Sequence, residues 1–120
     1  MKHVTIALAG ALLLGSVSLS HAADLAAGKA VWDKLNCASC HGADAVKSVD
    51  PSYPILAGQY ADFLVHALKA YQRGASGAPA SANVRKNAVM GAFAKQMSAQ
   101  DIKNVSAWLA AQPGPLAVRR

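Results

Sequence analysis

Residues 37–42 read Cys37-Ala38-Ser39-Cys40-His41-Gly42, and they contain both cysteines of the 120-residue chain. Two cysteines separated by two residues and followed at once by histidine have the spacing of covalent haem attachment, in which both thiols add to vinyl groups on one edge of the porphyrin. The adjacent imidazole is then held under the iron as an axial ligand. The motif therefore predicts one haem c bonded to Cys37 and Cys40, with His41 on the iron.

Two other chemistries use closely spaced cysteines. A thioredoxin-like redox pair would follow a strand of a βαβ unit, whereas no alternating β-branched pattern precedes Cys37. A closed structural zinc site needs four ligands, and the chain beyond the motif offers His66 as its one further histidine and no cysteine. Haem attachment is the interpretation that uses Cys37, Cys40 and His41 together.

Residues 1–22 have the pattern of a secretory signal: Lys2, an apolar run from Val4 to Leu19, and the small-residue cleavage site Ser20-His21-Ala22. An uncleaved membrane anchor is the alternative, but this run falls short of the ~20 apolar residues that a spanning helix needs. We therefore predict a cleaved leader, a mature domain at 23–120, a periplasmic location and no stable membrane insertion.

The composition leaves this domain a thin core. Alanine accounts for 27 residues, and many of the larger apolar side chains lie in the leader. Domains of about this size are only marginally stable without a disulfide, a metal or a cofactor, and a porphyrin would add apolar surface to the core. The size and the two cysteines exclude a multidomain enzyme and a disulfide-dense mini-protein, and the net charge of +6 excludes a disordered acidic chain.

Apolar periodicity predicts an all-α domain with helices at about 25–36, 58–73 and 99–112 and no strands. Asp24 is the expected N-cap of the first helix. Gly28 lies at the centre of that helix's apolar face, where glycine costs about 1 kcal/mol relative to alanine, so we expect another helix to cross closely there. Gly74 is expected to end the second helix and to open a loop at 74–81, and 116–120 to form a tail.

The sixth iron ligand has three candidates. His66 would project away from the apolar face of the second helix, which favours a solvated side chain. Met97 precedes Ser98 and Asp101, a capping-box pair, and is expected to pack on Ile102 as a hydrophobic staple. Met90 follows a polar segment and has no such structural role, so its flexible thioether is the predicted ligand, with packing in the core as the alternative.

The chain resembles the class I cytochromes c over nearly all of the mature domain. The resemblance is carried by Gly28 to Trp32, by Cys37 to Gly42, by Pro54-Ile-Leu-Ala-Gly-Gln59, by Arg85-x-Asn87-x-x-Met90, and by Asp101-Ile102 with Trp108. Two of these segments, Pro54 to Gln59 and Arg85 to Met90, look most like the small bacterial single-haem members and the half-domains of their dihaem relatives. The resemblance implies the cytochrome c fold, three to four helices packed around one covalently bound haem.

The same resemblance implies residue roles. Cys37 and Cys40 would form the thioethers, and His41 and Met90 would be the axial ligands of the iron. The carbonyl of Pro54 would accept a hydrogen bond from His41 Nδ1, which fixes the orientation of the ring. Gly28 would mark the crossing of the first and last helices.

With both axial positions filled, the expected function is outer-sphere electron transfer in a respiratory chain, not enzymatic catalysis. Redox proteins with acidic docking surfaces are the expected partners, in transient complexes of a monomeric carrier, and nucleic acid is not. The basic side chains expected to form the docking surface, with scattered solvating charge as the alternative, are Lys47, Lys69, Arg73, Arg85, Lys86 and Lys95.

Two other functions stay open at the level of the sequence. A haem sensor or weak peroxidase would need a labile Met90, and the chain lacks an obvious distal histidine and arginine pair. A fixed cytochrome subunit of a periplasmic dehydrogenase or reductase would have the same haem site, and would differ in forming a stable complex.

Overall fold

The computed structural model describes residues 22–117, so the predicted leader before Ala22 and the last three residues of the tail lie outside the described part. Within it the chain is helical and contains no strand, which confirms the all-α prediction. The helices are α1 Leu25–Lys34, α2 Ala38–His41, α3 Ala61–Ala75, α4 Ala88–Ala94 and α5 Ala99–Ala111, with a 3-10 turn at Ala80–Ala82. None of these helices has the length and hydropathy to cross a membrane.

Helix α1 begins as predicted and ends earlier than predicted. Asp24 caps it, because the side-chain oxygen accepts the backbone N–H of Ala27 at 3.0 Å. Asn36 has a φ of 50°, a left-handed conformation that asparagine tolerates better than most residues. That residue ends the helical path and turns the chain directly into the Cys37 to His41 segment.

Helices α1 and α5 cross at Gly28, as the glycine predicts. A Cβ atom at Gly28 would overlap the backbone carbonyl of Asn104 and would lie 2.7 Å from the Cβ of Trp108. The indole rings of Trp32 and Trp108 pack beside the crossing with their centroids 5.3 Å apart. The absence of a side chain at Gly28 therefore allows the two terminal helices to approach closely.

The core lies where α1, α3 and α5 meet. Its largest buried apolar side chains come from all three helices and from the segment before α5, namely Trp32, Leu64, Leu68, Met97, Ile102, Val105 and Leu109. Small buried alanines fill the remaining space, so this core is as thin as the composition predicts.

Helix α3 differs from its predicted bounds at both ends. It begins at Ala61 and not at 58, because Gly58 adopts a φ of 78° and donates its N–H to Leu109 at 2.9 Å. It continues past Gly74 to Ala75. Gly74 therefore does not end the helix. Its lack of a side chain instead allows close packing, because a Cβ atom at that position would overlap the carbonyl oxygen of Arg85.

Two short helices were not predicted. Four and seven residues, at Ala38–His41 and Ala88–Ala94, are too few for apolar periodicity to be read from the sequence. Helix α4 places Met90 in its first turn, where the sequence suggests only a segment leading to the last helix. Its N-cap is Asn87, whose side-chain oxygen accepts the backbone N–H of Met90 at 2.9 Å.

The predicted tail at 116–120 is packed in its described part. Gly114 lies against Ala57, where a Cβ atom would be 2.7 Å from the Ala57 carbonyl oxygen. Ala117 lies against Gly58, with its backbone nitrogen 2.5 Å from the position that a Cβ atom there would occupy. The turn after α5 therefore covers the segment that leads into α3.

Candidate haem-binding site

A cavity of about 410 Å³ opens among α2, α3, α4 and the segment at 52–56. Its walls include all five residues predicted for the haem site, which are Cys37, Cys40, His41, Pro54 and Met90. Most of the remaining lining is apolar, with Leu64, Leu68, Phe93 and Leu109 among it. The fold therefore brings residues that are far apart in sequence to one apolar space.

Helix α2 presents the cysteine motif to this cavity. Cys37 is the N-cap residue and Cys40 lies three residues later, so the two thiols fall on one side of the helical turn. Both are half-buried free thiols. Burial raises the pKa of Cys37 to about 11, so its thiol is protonated at neutral pH.

The His41 imidazole is buried at the end of α2, with 6% of its surface exposed. Its Nδ1 lies 3.1 Å from the carbonyl oxygen of Pro54. Because a carbonyl can only accept, Nδ1 carries the proton and the lone pair of Nε2 is left free. Burial lowers the pKa of His41, partly opposed by the hydrogen bond to Pro54, so the ring is neutral at neutral pH, the form that binds a metal.

Two methionines line the cavity, and they differ in their surroundings. Met90 is half-buried in the first turn of α4. Met97 is 7% exposed and belongs to the core cluster with Ile102. The predicted capping box of α5 is present, because Ser98 N–H donates to Asp101 at 2.9 Å and Asp101 N–H donates to Ser98 Oγ at 3.0 Å.

The structure separates His66 from the site. Its side chain is exposed on α3, as predicted, and it is not among the residues that line the cavity. Gln72, on the same helix, was missed by the sequence analysis. Its Nε2 donates to the carbonyls of Ala94 at 2.8 Å and Met97 at 2.9 Å, which ties α3 to the end of α4. A single glutamine on a helix flank carries no motif that would have revealed this contact.

The donor set of the cavity fits haem c. Two free thiols on one helical turn match attachment to one porphyrin edge, and an imidazole with a free Nε2 matches an axial ligand. A thioether is present in the same cavity, and the mainly apolar walls suit the porphyrin face.

Comparisons with known proteins agree with this chemistry. Residues 25–112 match the family model described as Cytochrome c. The chain is 37% identical over 95 residues to cytochrome c-554(548) of Halomonas halodenitrificans, covering 76% of this chain and 99% of that protein. It is 34% identical over 105 residues to cytochrome c4 of Stutzerimonas stutzeri, covering 86% of this chain and 48% of the relative.

A third relative and a solved structure extend the comparison. The thiosulfate dehydrogenase electron acceptor of Stutzerimonas stutzeri is 30% identical over 122 residues, 96% of this chain and 51% of that protein. The crystal structure of reduced recombinant cytochrome c4 from Pseudomonas stutzeri matches with a TM-score of 0.67 and 33% identity over 78% of this chain and 47% of that one. The chain thus spans about half the length of these relatives, and nearly all of cytochrome c-554(548).

Proposed function

The chain belongs to the cytochrome c family of haem electron-transfer proteins, and we propose that it is a periplasmic single-haem electron carrier with His41 and Met90 as axial ligands. The observation that carries this proposal is the convergence of the Cys37 to His41 motif and Met90 on one apolar cavity. The haem c held there supplies the Fe(III)/Fe(II) couple. Residues 1–22 are proposed to be the cleaved export signal that leaves the domain at 23–120.

The polypeptide holds the haem at four points in this proposal, which are two thioethers and two axial ligands. Cys37 and Cys40 tether it through thioethers, and Pro54 fixes the ring of His41 by accepting the Nδ1 hydrogen bond. A ring fixed in this way presents Nε2 in one orientation, which keeps the change in geometry between the two oxidation states small. Fast electron transfer needs such a small change.

Met90 is proposed as the sixth ligand in preference to Met97. The Met97 side chain packs in the core, and its carbonyl is held by Gln72, so its position is explained by stability alone. Met90 faces the cavity from the first turn of α4. The N-cap of that helix, Asn87, accepts a hydrogen bond from the backbone N–H of Met90. Methionine opposite histidine raises the reduction potential of the iron, and filling both axial positions favours electron transfer over reactions at an open iron site.

The proposed partners are redox proteins with acidic docking surfaces. Of the basic residues predicted for docking, Lys47, Arg85, Lys86 and Lys95 are exposed. Arg73 is half-buried and donates to the carbonyl of Asn83 at 2.7 Å, so it has a structural role of its own. The exposed basic side chains give a positive potential that would steer acidic partners into short-lived complexes.

The test is an optical and EPR redox titration of the purified holoprotein, combined with its intact mass. We expect one haem on a chain that begins at Ala23, a low-spin Fe(III) form with a sulfur-to-iron charge-transfer band, and a single one-electron transition. A high-spin Fe(III) spectrum at neutral pH would instead indicate an open iron site and a sensor or peroxidase function.

A second candidate is a fixed subunit that links a periplasmic dehydrogenase to the respiratory chain. One relative is described as the electron acceptor of thiosulfate dehydrogenase, which favours a dedicated partner enzyme. Purification of the native protein at high salt distinguishes the two cases. A free carrier elutes alone, because screened electrostatic complexes dissociate, whereas a fixed subunit stays with its enzyme.

A further inference from the structure

The helix that carries Met90 is too short to be stable by itself. Helix α4 has seven residues, whereas isolated helices shorter than about 12–15 residues are only marginally formed in water. Met90 lies in its first turn and lines the haem cavity. The contacts between α4 and the rest of the fold therefore decide how firmly Met90 is held at the cavity.

Helix α3 holds the end of α4 through the side chain of Gln72. Its Nε2 has two N–H groups, and it donates to the carbonyl of Ala94 at 2.8 Å and to that of Met97 at 2.9 Å. Ala94 is the last residue of α4, where the carbonyls of a helix have no partner within it. The Ala94 carbonyl also accepts the N–H of Met97 at 3.1 Å in the turn that follows. Gln72 thus caps α4 from a neighbouring helix.

The apolar part of the attachment between α3 and α4 is small. The buried residues of α4 are Gly91 and Ala94, and a Cβ atom at Gly91 would be 3.0 Å from the Cβ of Ala75 on α3. Hydrophobic stabilisation scales with the apolar area removed from water, and a glycine and an alanine bury little of it. The two hydrogen bonds of Gln72 therefore supply a large share of what holds α4 on α3.

We propose that Gln72 is a positioning residue that keeps Met90 on the iron and so closes the iron to small exogenous ligands. The proposal rests on the haem and the Met90 ligation of the proposed function. Gln72 does not line the cavity, so it acts through α4. A neutral nitrogen base such as imidazole reaches the sixth position only when Met90 has left it. Its apparent affinity is therefore proportional to the fraction of molecules in which α4 is open.

The experiment is an optical titration of the Fe(III) holoproteins with imidazole in the wild type, Gln72→Met, Gln72→Glu and Gln112→Met. Gln112 is the matched control, because it is also half-buried and its Nε2 donates to the Trp108 carbonyl at 2.9 Å at the end of α5. Gln72→Met is expected to raise the imidazole association constant roughly fivefold to hundredfold, the effect of losing two hydrogen bonds. Gln112→Met should leave it unchanged, and an equal constant in the two variants would contradict the proposal.

Gln72→Glu separates hydrogen bonding from packing. Glutamate keeps the shape of glutamine but places a carboxylate oxygen, which can only accept, against two carbonyl oxygens. It should raise the imidazole association constant at least as much as Gln72→Met does. A Gln72→Glu protein with the wild-type constant would show that Gln72 acts by packing alone, and the proposal would be wrong.

A core substitution separates this local effect from a general loss of stability. Val105→Ala shortens a side chain of α5 that is 2% exposed and does not line the cavity. It should lower the urea midpoint and leave the imidazole association constant near the wild-type value, because α4 opens without unfolding of the core. If it raises the constant as much as Gln72→Met does for the same loss of urea midpoint, the iron opens by global unfolding and Gln72 has no special role.

Failure of the proposed iron ligation would give a different result. A wild-type holoprotein that lacks the sulfur-to-iron band and binds imidazole as tightly as Gln72→Met would overturn both proposals. An intact band in the wild type, with no effect of Gln72→Met or Gln72→Glu on imidazole binding, would contradict the role of Gln72 and leave the ligation by Met90 in place.

Discussion

The hydrogen bond from His41 to Pro54 and the burial of the imidazole act on His41 in opposite directions. Burial dominates and lowers the pKa of His41 from its ordinary value of 6.5. The unfolded chain therefore binds a proton at His41 that the folded chain does not bind, and folding stability falls with decreasing pH below about 6.5.

This predicts a lower urea midpoint as the haem-free chain is titrated from neutral pH into the acid range, with the loss levelling off once folded His41 is itself protonated. In the holoprotein the iron would occupy Nε2 and remove this titration. His66→Gln is the control, because it removes an exposed imidazole on α3. If His66→Gln abolished the decrease in stability at acid pH, the effect would belong to His66 and not to His41.

Asn87 determines how firmly Met90 is held. Its side-chain oxygen accepts the N–H of Met90 at 2.9 Å, and loss of an N-cap costs about 1 kcal/mol. Asn87→Ala is expected to lower the free energy of unfolding by that amount and to lower the temperature at which the sulfur-to-iron band disappears. Asn87→Ser keeps a capping oxygen and should retain most of both quantities, whereas equal losses in the two variants would argue against the cap.

At the scale of the elements, the crossing of α1 and α5 depends on Gly28. Gly28→Ala would gain about 1 kcal/mol of helix propensity. The added methyl group would overlap the Asn104 carbonyl and crowd Trp108, and overpacking of this kind costs about 1–3 kcal/mol. Because the overlap is with backbone that cannot move aside cheaply, we expect net destabilisation.

Urea unfolding of Gly28→Ala checks this expectation. The control is Ala30→Gly, at an exposed position of the same helix, which should show the propensity effect alone, about 1 kcal/mol of destabilisation. An unchanged or more stable Gly28→Ala protein would mean that the two helices do not pack as closely as described.

The helices and the site were predictable from sequence to different degrees. Long amphipathic segments predicted α1, α3 and α5, and the spacing of Cys37, Cys40 and His41 predicted covalent haem attachment. Both patterns can be read from residues that are neighbours in the sequence. Helices α2 and α4 were missed, since four and seven residues are too few to show an apolar period. The position of Arg85 between Phe63 and Tyr71 was also missed, because it depends on how a loop packs on α3, and the sequence shows only a basic residue.

For the molecule as a whole, the net charge is +6 in the full sequence and +5 once Lys2 of the proposed leader is removed (11 Lys and Arg minus 6 Asp). This charge and the exposed lysines predict salt-sensitive association with an acidic redox partner. The second-order rate constant for electron transfer to an acidic redox protein should fall as ionic strength rises. Stopped-flow measurement with a neutral small-molecule reductant is the control, and its rate should stay nearly constant. Equal salt dependence for the two reactants would remove the docking interpretation.

The proposed role as an electron carrier depends on Met90 binding the iron opposite His41. The most direct test is the sulfur-to-iron charge-transfer band of the Fe(III) holoprotein in the wild type, Met90→Leu and Met97→Leu. Leucine keeps the volume of methionine and removes only the sulfur. We predict that the band is present in the wild type and in Met97→Leu and is lost in Met90→Leu. A band that persists in Met90→Leu, or that disappears in Met97→Leu, would show that Met90 is not the ligand.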